Sequence, residues 1–450
     1  MPIINKQTKH ISPARMLVVG FLAIIIIGSV LLWLPFASAD GSMKPYSECL
    51  FTATSATCVT GITVVDTYGT WSLFGQIVIA LLIQVGGLGF VTIITFFNIA
   101  AGKKLGFRTL ANAADGLTES SFEGGTRIFI SIMKYSLIIE LIGAVILGFV
   151  FVPKYGAYGV WVSIFMSISA FCNAGFDLMG QADGMSSLIG FNNDPVVLIT
   201  IALLITIGGL GFVVWENFLN LRKAKKLSLH TKAVLIMTGI LTVGGTIFYL
   251  VSEWSNPATM GDMHFGQKLL NSFFSSVSNR SAGFSSIDVS GMTSFSQLGT
   301  MLLMFIGVAP ASTGGGIKVT TLLVLMMTVV SYIKNKNDVE IFRHKIDKHT
   351  VYRTLVVTTL TMCAVALCFA AIYSLTSCDA LHCLFESVAA CSTAGLSLGV
   401  SSAADIFGRI VIMLFMFSGR VGPVSLILSL SLNSSKRKNI VVPDGQIFIG

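Results

Sequence analysis

Phe171-Cys172-Asn173-Ala174-Gly175-Phe176 is echoed three times in this chain: as Asn279-Arg280-Ser281-Ala282-Gly283-Phe284, as Cys391-Ser392-Thr393-Ala394-Gly395-Leu396 and, more distantly, as Thr57-Cys58-Val59-Thr60-Gly61. Three of the four carry Ala-Gly before a large apolar residue, and the first has Thr60-Gly61-Ile62. Successive glycines are 114, 108 and 112 residues apart. A near-constant period of matching hydropathy marks an internal duplication. Before each glycine runs a short amphipathic segment (46–56, 161–170, 265–278 and 380–390), too short to cross a bilayer and suited to a re-entrant one. Backbone that leaves helical form at membrane depth must be buried in protein or face water. Four such loops therefore point to one shared aqueous axis.

Outward from the loops, the composition fits lipid as solvent. Of 450 residues, 54% are hydrophobic and 11% charged, against roughly 25% charged in soluble domains. Stretches 16–36 and 74–100 are long, apolar and uncharged, enough to span a hydrocarbon core of about 30 Å. The first is too long for a signal-peptide core, and Pro35-Phe36 follows it in place of small residues. The expected fold is an all-α polytopic membrane protein of four helix, pore-loop, helix (M1-P-M2) units, with eight transmembrane helices around a pseudo-fourfold pore. The unit boundaries fall at 1–102, 103–221, 222–335 and 336–450.

The net charge of +8 could suggest a nucleic-acid partner, but its placement argues against one. Of 29 Lys and Arg, 21 fall in five stretches between apolar segments: the N-terminus, 103–127, 222–232, 334–353 and 436–438. Lys44, Lys154 and Lys268 lie in the outer loops, beside acids such as Asp66, Asp177 and Asp288. This positive-inside pattern places both termini in the cytoplasm. The eight cysteines form no CxxC pair, and His382-Cys383 lacks the spaced partners of a metal site. An intramembrane enzyme would need paired carboxylates or an activated nucleophile, and Glu140 is the acid that lies deep in a spanning segment. A purely structural scaffold would leave four repeated loops unexplained.

A dehydrated cation needs oxygen ligands, and rings of backbone carbonyls supply them. Glycine permits the angles that turn carbonyls inward, and a short helix ending at the loop aims a partial negative charge at the ion. The outer acids would concentrate cations at the mouth. Arg280 would repel such an ion, so it is expected to point away and pair with an acid or with carbonyls behind the loop.

A second glycine pattern follows each loop: Gly86-Gly87-Leu88-Gly89-Phe90, Gly208-Gly209-Leu210-Gly211-Phe212, and single glycines Gly307 and Gly419. Close packing of transmembrane helices is one reading of it. In the third repeat the closing segment is interrupted by Gly307-Val308-Ala309-Pro310-Ala311-Ser312-Thr313-Gly314-Gly315-Gly316-Ile317-Lys318. Proline and three glycines disfavour helix. The phosphate-loop signature Gly-Lys-Ser/Thr is missing. Lys318 follows the break and Arg420 lies at the matching depth of the fourth repeat, where a charge at mid-bilayer is usually functional. The expectation is a gate loop held across the pore by Arg420; the alternative is that both cations snorkel to the cytoplasmic face.

The four loops, the Ala-Ser-Thr-Gly-Gly-Gly-Ile-Lys segment and Gly419-Arg420-Val421-Gly422-Pro423 resemble the Trk/Ktr/HKT superfamily of potassium transporters over essentially the whole chain. The four-unit length and the ending Pro443-Asp444-Gly445-Gln446-Ile447-Phe448-Ile449-Gly450 look most like its KtrB-type membrane subunit. The resemblance implies a selectivity filter at Thr60-Gly61, Asn173-Ala174-Gly175, Ser281-Ala282-Gly283 and Thr393-Ala394-Gly395. It implies a gate loop containing Gly307, Pro310, Ser312, Thr313, Gly314, Gly315, Gly316 and Lys318, with Arg420 as its pore-facing partner. Glycine rather than serine at Gly61 favours K+ over Na+ as the transported ion; a sodium-preferring or poorly selective member is the alternative. The resemblance also implies bacterial cytoplasmic-membrane uptake, symporter or channel-like, by a homodimer. A cytoplasmic RCK-domain ring of KtrA type would carry the nucleotide, Na+ would stimulate, and no covalent cofactor or nucleic acid takes part. Pro310 and Cys58 depart from the family pattern.

Overall fold

The computed structural model describes residues 13–100, 125–180, 187–221 and 226–430. Residues 103–124, 222–225, the basic tail 436–438 and the ending 443–450 lie outside the described residues, as do Lys6 and Lys9.

One order of elements recurs along the chain. A long helix comes first (Pro13–Trp33, Gly125–Tyr155, Leu229–Ser252, Lys348–Leu375). A short helix follows (Tyr46–Cys58, Ala157–Phe171, Phe265–Ser278, Ala380–Ser392) and ends at a glycine loop. A second apolar helix then begins (Leu73–Ala100, Pro195–Gly209, Ser294–Phe305, Ile406–Val421). Helix starts are capped by side chains that absorb otherwise unpaired amides. Asp194 accepts from Val196 and Val197, Ser228 from Thr231, Thr293 from Ser296, and Asp405 from Gly408.

Burial is inverted relative to a water-soluble protein. The long helices are apolar and yet little buried: their most hydropathic windows are 22–39% buried. Leu141, Phe149, Val251 and Leu367 point outward. The short helices are each more than half buried; nine residues of Tyr46–Cys58 are buried, four of them Thr or Ser. Apolar side chains facing outward around hydroxyls facing inward is the arrangement a lipid solvent favours. Two apolar clusters hold the interior. One joins Leu32, Ile79, Leu147, Phe165 and Ile201, and the other joins Phe21, Tyr249, Phe385 and Ile412.

By length and composition, four helices among the described residues can cross a membrane, or five if the pair Pro195–Gly209 and Phe212–Leu219 counts as one span bent by 90°. The sequence reading expects eight. The difference lies in the second helices, which glycines divide into pieces. Gly89 has φ 58°, Gly211 86° and Gly422 86°, and helix Pro423–Leu430 resumes after the last. An L side chain resists that backbone region, so glycine breaks the helix there at least cost.

The cations expected in the outer loops are each held in place. Lys44 pairs with Asp40 at 2.7 Å, and that ion pair together with the Ser38 and Ser42 hydroxyls keeps the Asp40 carboxyl well below the usual carboxylate range. Lys154 sits 4.0 Å from the Phe191 ring centre. Lys268 donates to Trp254 O at 2.7 Å and lies 4.6 Å from its ring centre. Val339–Ile341 pairs antiparallel with His344–Ile346 in a short hairpin bearing Lys345 and Arg343.

Candidate functional site

Each short helix ends alike. Just past its last turn stands a non-glycine residue of positive φ: Val59 (54°), Asn173 (57°), Ser281 (73°) and Thr393 (49°). Two residues on comes a glycine, also positive: Gly61 (86°), Gly175 (71°), Gly283 (81°) and Gly395 (88°). The residue between turns its amide back on the helix: Thr60 donates to Ser55 O at 2.8 Å, Ala174 to Ser169 O at 2.8 Å, Ala282 to Ser278 O at 2.9 Å and Ala394 to Ala389 O at 2.9 Å. Alternating signs of φ carry successive carbonyls to one side of the chain, whereas a strand sends them to opposite sides. The glycines are plain in the sequence. The left-handed residue before them is less so: Asn173 is a residue type that tolerates the region, but a β-branched Val59 is an outlier there.

The loops close on one another in chain order. A Cβ on Gly61 would stand 2.5 Å from Ala174 O, one on Gly175 2.6 Å from Ala282 O, and one on Gly395 2.5 Å from Thr60 O. On Gly283 it would lie 3.0 Å from Ala394 O and 2.8 Å from the Gly395 Cα. Thr60, Ala174, Ala282 and Ala394 are fully buried, and the hydroxyls of Thr57, Thr60, Ser392 and Thr393 are enclosed without a partner. Unpartnered buried oxygens are costly, and here they collect on the first and fourth loops.

Against this ring lies the Gly307–Lys318 segment. Thr313 Oγ1 pairs with the Asn173 side chain at 3.0 Å. Gly315 N donates to Ser281 Oγ at 2.9 Å, and that hydroxyl donates to Thr393 O at 3.1 Å. A Cβ on Gly315 would strike the Thr393 side chain. The segment is also stitched to the second broken helix: Ala309 donates to Gly209 O at 3.0 Å, and Phe212 to Ala311 O at 2.9 Å. Pro310 O crowds Gly211, Ser312 Oγ closes on Ala309 O at 2.6 Å, and Lys318 Nζ donates to Gly314 O at 2.7 Å. Ala311 (φ 54°) and Gly316 (φ 73°) make the turns, and Gly307 admits the Gly315 carbonyl.

Arg420 reaches across from the fourth broken helix. Its guanidinium donates to Thr313 O in the segment and to Gly86 O and Gly87 O on the first broken helix. The head is thus bound deep among carbonyls and does not run out along a cytoplasmic face. Arg280 turns the other way: Nη2 donates to Thr242 Oγ1 at 2.7 Å and Nε to Ser276 O at 3.4 Å, behind its loop. Its partners are a hydroxyl and a carbonyl, not an acid.

The mid-helix glycines have a different partner from the one a packing motif suggests. A Cβ on Gly86 would run into Thr57 O, on Gly208 into Phe171 O, and on Gly419 into Cys391 O. These carbonyls all belong to the last turn of a short helix, four residues before a ring glycine. The close approach is to the helix end that supports the ring. The breaks at Gly89, Gly211 and Gly422 each fall three residues later, so a Gly-x-x-Gly spacing is the sequence signal of the break. The acids expected at the outer mouth serve turns: Asp66 accepts from Gly69 at 2.5 Å, Asp177 from Met179 at 3.0 Å and Asp288 from Ser290 at 2.9 Å.

Residues 6–440 match the family described as TrkH, cation transport protein. The potassium/sodium uptake protein NtpJ of Enterococcus hirae is 37% identical over 460 residues, covering 100% of both chains. The Ktr system potassium uptake protein B of Bacillus subtilis is 38% identical over 445 residues, covering 98% of this chain and 97% of its own. Among solved structures, the potassium transporter TrkH from Vibrio parahaemolyticus superposes with a TM-score of 0.73 at 16% identity, over 96% of this chain and 87% of that one. With fold, family model and full-length relatives in agreement, this chain belongs to the TrkH family of cation transport proteins.

Proposed function

We propose that the chain moves potassium ions into the bacterial cell through the ring, with the Gly307–Lys318 loop as a gate. The observation that carries this is the closed ring itself, in which four positive-φ glycines each abut a carbonyl of the next loop. The carbonyls of residues 59–61, 173–175, 281–283 and 393–395 replace the hydration shell, and the ends of the short helices add partial negative charge. The gate loop lies against Asn173, Ser281 and Thr393 and is latched by Arg420. Around this axis the reading places four M1-P-M2 units, bounded at 1–102, 103–221, 222–335 and 336–450, and eight spans once each glycine-broken helix is counted as one. Both termini are then cytoplasmic. Relatives named as the B protein of a Ktr uptake system support a translocating subunit that works with regulatory partners, in this reading as a homodimer on an RCK ring. In this reading the nucleotide is held by the ring, and Na+ is a modulator.

A relative named for potassium and sodium uptake keeps a second reading in play, a less selective cation path. One experiment separates them: K+ and Na+ flux into proteoliposomes under equal gradients, for wild type and Gly61→Ser. Potassium preference eroded by the serine supports the filter and its ion. Equal flux of both ions from wild type favours the second reading, and no flux even with the ring partner added would sink both.

A further inference from the structure

The four loops are fastened differently on the side beyond the ring glycine. In the second loop Ser169 Oγ donates to Phe176 O at 2.6 Å, and in the third Ser278 Oγ donates to Phe284 O at 2.5 Å. A hydroxyl of the short helix thus holds the first carbonyl past the glycine. The fourth short helix offers Ala389 and Ala390 at those places and has no such hydroxyl. It carries Glu386 one turn earlier, fully buried.

The Glu386 carboxylate accepts from Ser397 Oγ at 3.0 and 2.9 Å, from Ser401 N at 3.3 Å and from Ser401 Oγ. Ser397 in turn takes the amide of Gly399 at 3.0 Å, and Gly399 (φ 87°) starts the short helix Val400–Ala403. One carboxylate therefore gathers the whole return strand from the ring, residues 396–401, against the helix that supports it. The corresponding places elsewhere are Thr52, Met166 and Phe274, none of them ionisable. In the first loop, Ser55 and Thr52 are buried with hydroxyls that have no partner.

We propose that Glu386 is a positioning residue for selectivity: it sets the fourth loop's outer half and so the spacing of the Thr393–Gly395 carbonyls. Carboxylate geometry suits the task because it accepts several donors at once, where a serine fixes one carbonyl. The inference rests on the reading of the loops as a filter. Its partner residues Ser397 and Ser401 stand outside the ring, which gives a route to test it without touching ring residues.

The test compares Na+ with K+ flux in proteoliposomes of the full chain for wild type, Glu386→Ala, Glu386→Gln and the pair Ser397→Ala/Ser401→Ala, with Gly61→Ser as reference. Loss of several buried hydrogen bonds is expected to raise the Na+/K+ flux ratio roughly fivefold or more in Glu386→Ala. The serine pair should move the same way, and Glu386→Gln, which keeps an acceptor oxygen, should restore part of the preference. Amide exchange should quicken over 396–401. Should Glu386→Ala fail to assemble, the serine pair and Glu386→Gln carry the same comparison. A wild-type ratio in every Glu386 and serine variant, while Gly61→Ser shifts it, would overturn the inference and leave the filter reading intact. A wild type with no preference at all would overturn both.

Discussion

Three of the four second helices break at a single residue; the third breaks over twelve. In the first, second and fourth, a glycine meets the end of a short helix (Gly86, Gly208, Gly419) and the kink follows three residues on. In the third, Gly307 meets Gly315 of its own segment, and position 310 is proline. A one-residue kink changes the direction of a helix and leaves nothing in the axis. A twelve-residue interruption must satisfy its own backbone groups, and this one does so by bonding to the second helix and to the loops of the ring. The same hinge position thus yields support in three places and, on the proposed reading, an obstruction in one.

That contrast can be broken or sharpened by experiment. The largest effect is expected from deleting residues 311–315, which converts the third helix toward the other three. K+ influx into proteoliposomes should rise roughly tenfold or more, which corresponds to a barrier lowered by at least ~1.4 kcal/mol. Unchanged influx would remove the obstruction from the account. Next is Arg420→Ala, which cuts the latch and leaves the loop. A hydrogen bond from a charged group contributes about 1.5–3 kcal/mol, so influx should rise by roughly an order of magnitude, and tracer flux reads it directly. Gly208→Ala against Gly307→Ala tests support versus obstruction. The first should lower the thermal midpoint, by about 1–3 kcal/mol of overpacking against Phe171 O, and reduce flux. The second should leave the midpoint nearer wild type and raise flux, because what it displaces is the gate. The smallest change is expected from Thr313→Val, which removes one bond to Asn173. A neutral pair is worth about 0.5–1.5 kcal/mol, so a two- to tenfold rise in influx is expected, and a fall would place Thr313 outside the closed contact.

Much of this arrangement was legible beforehand, for identifiable reasons. Hydropathy and the near-constant spacing of Gly61, Gly175, Gly283 and Gly395 exposed the recurring order of elements, because lipid as solvent leaves long uncharged runs and a shared axis demands glycine at one place per loop. The interruption at 307–318 was visible because Pro310 and Gly314-Gly315-Gly316 cannot continue a helix. The partners of these residues were hidden. Nothing in the string Ser-Gly-Arg-Val-Gly-Pro tells that Arg420 binds carbonyls of residues 86 and 87, 334 and 333 positions away. Mid-helix glycines read equally well as packing between long helices, since a close approach has the same composition whichever backbone comes near. The left-handed turn at Val59 had no compositional sign, for it is imposed by the surrounding loops and not by the residue's own preference. Nothing in the short segment 380–390 tells that its one glutamate, Glu386, gathers Ser397 and Ser401.

Arg420 occupies a level of the axis at which the corresponding places hold Gly87, Gly209 and Val308. Were the ring assembled from four separate identical chains, every substitution would recur on all sides, and one guanidinium would become four facing each other at close range. Joining the quarters in a single polypeptide removes that constraint. Each quarter is free to diverge, so Arg420 has no counterpart at Gly87, Gly209 or Val308. On the proposed reading, the passage can then be adjusted in steps of one quarter at a time.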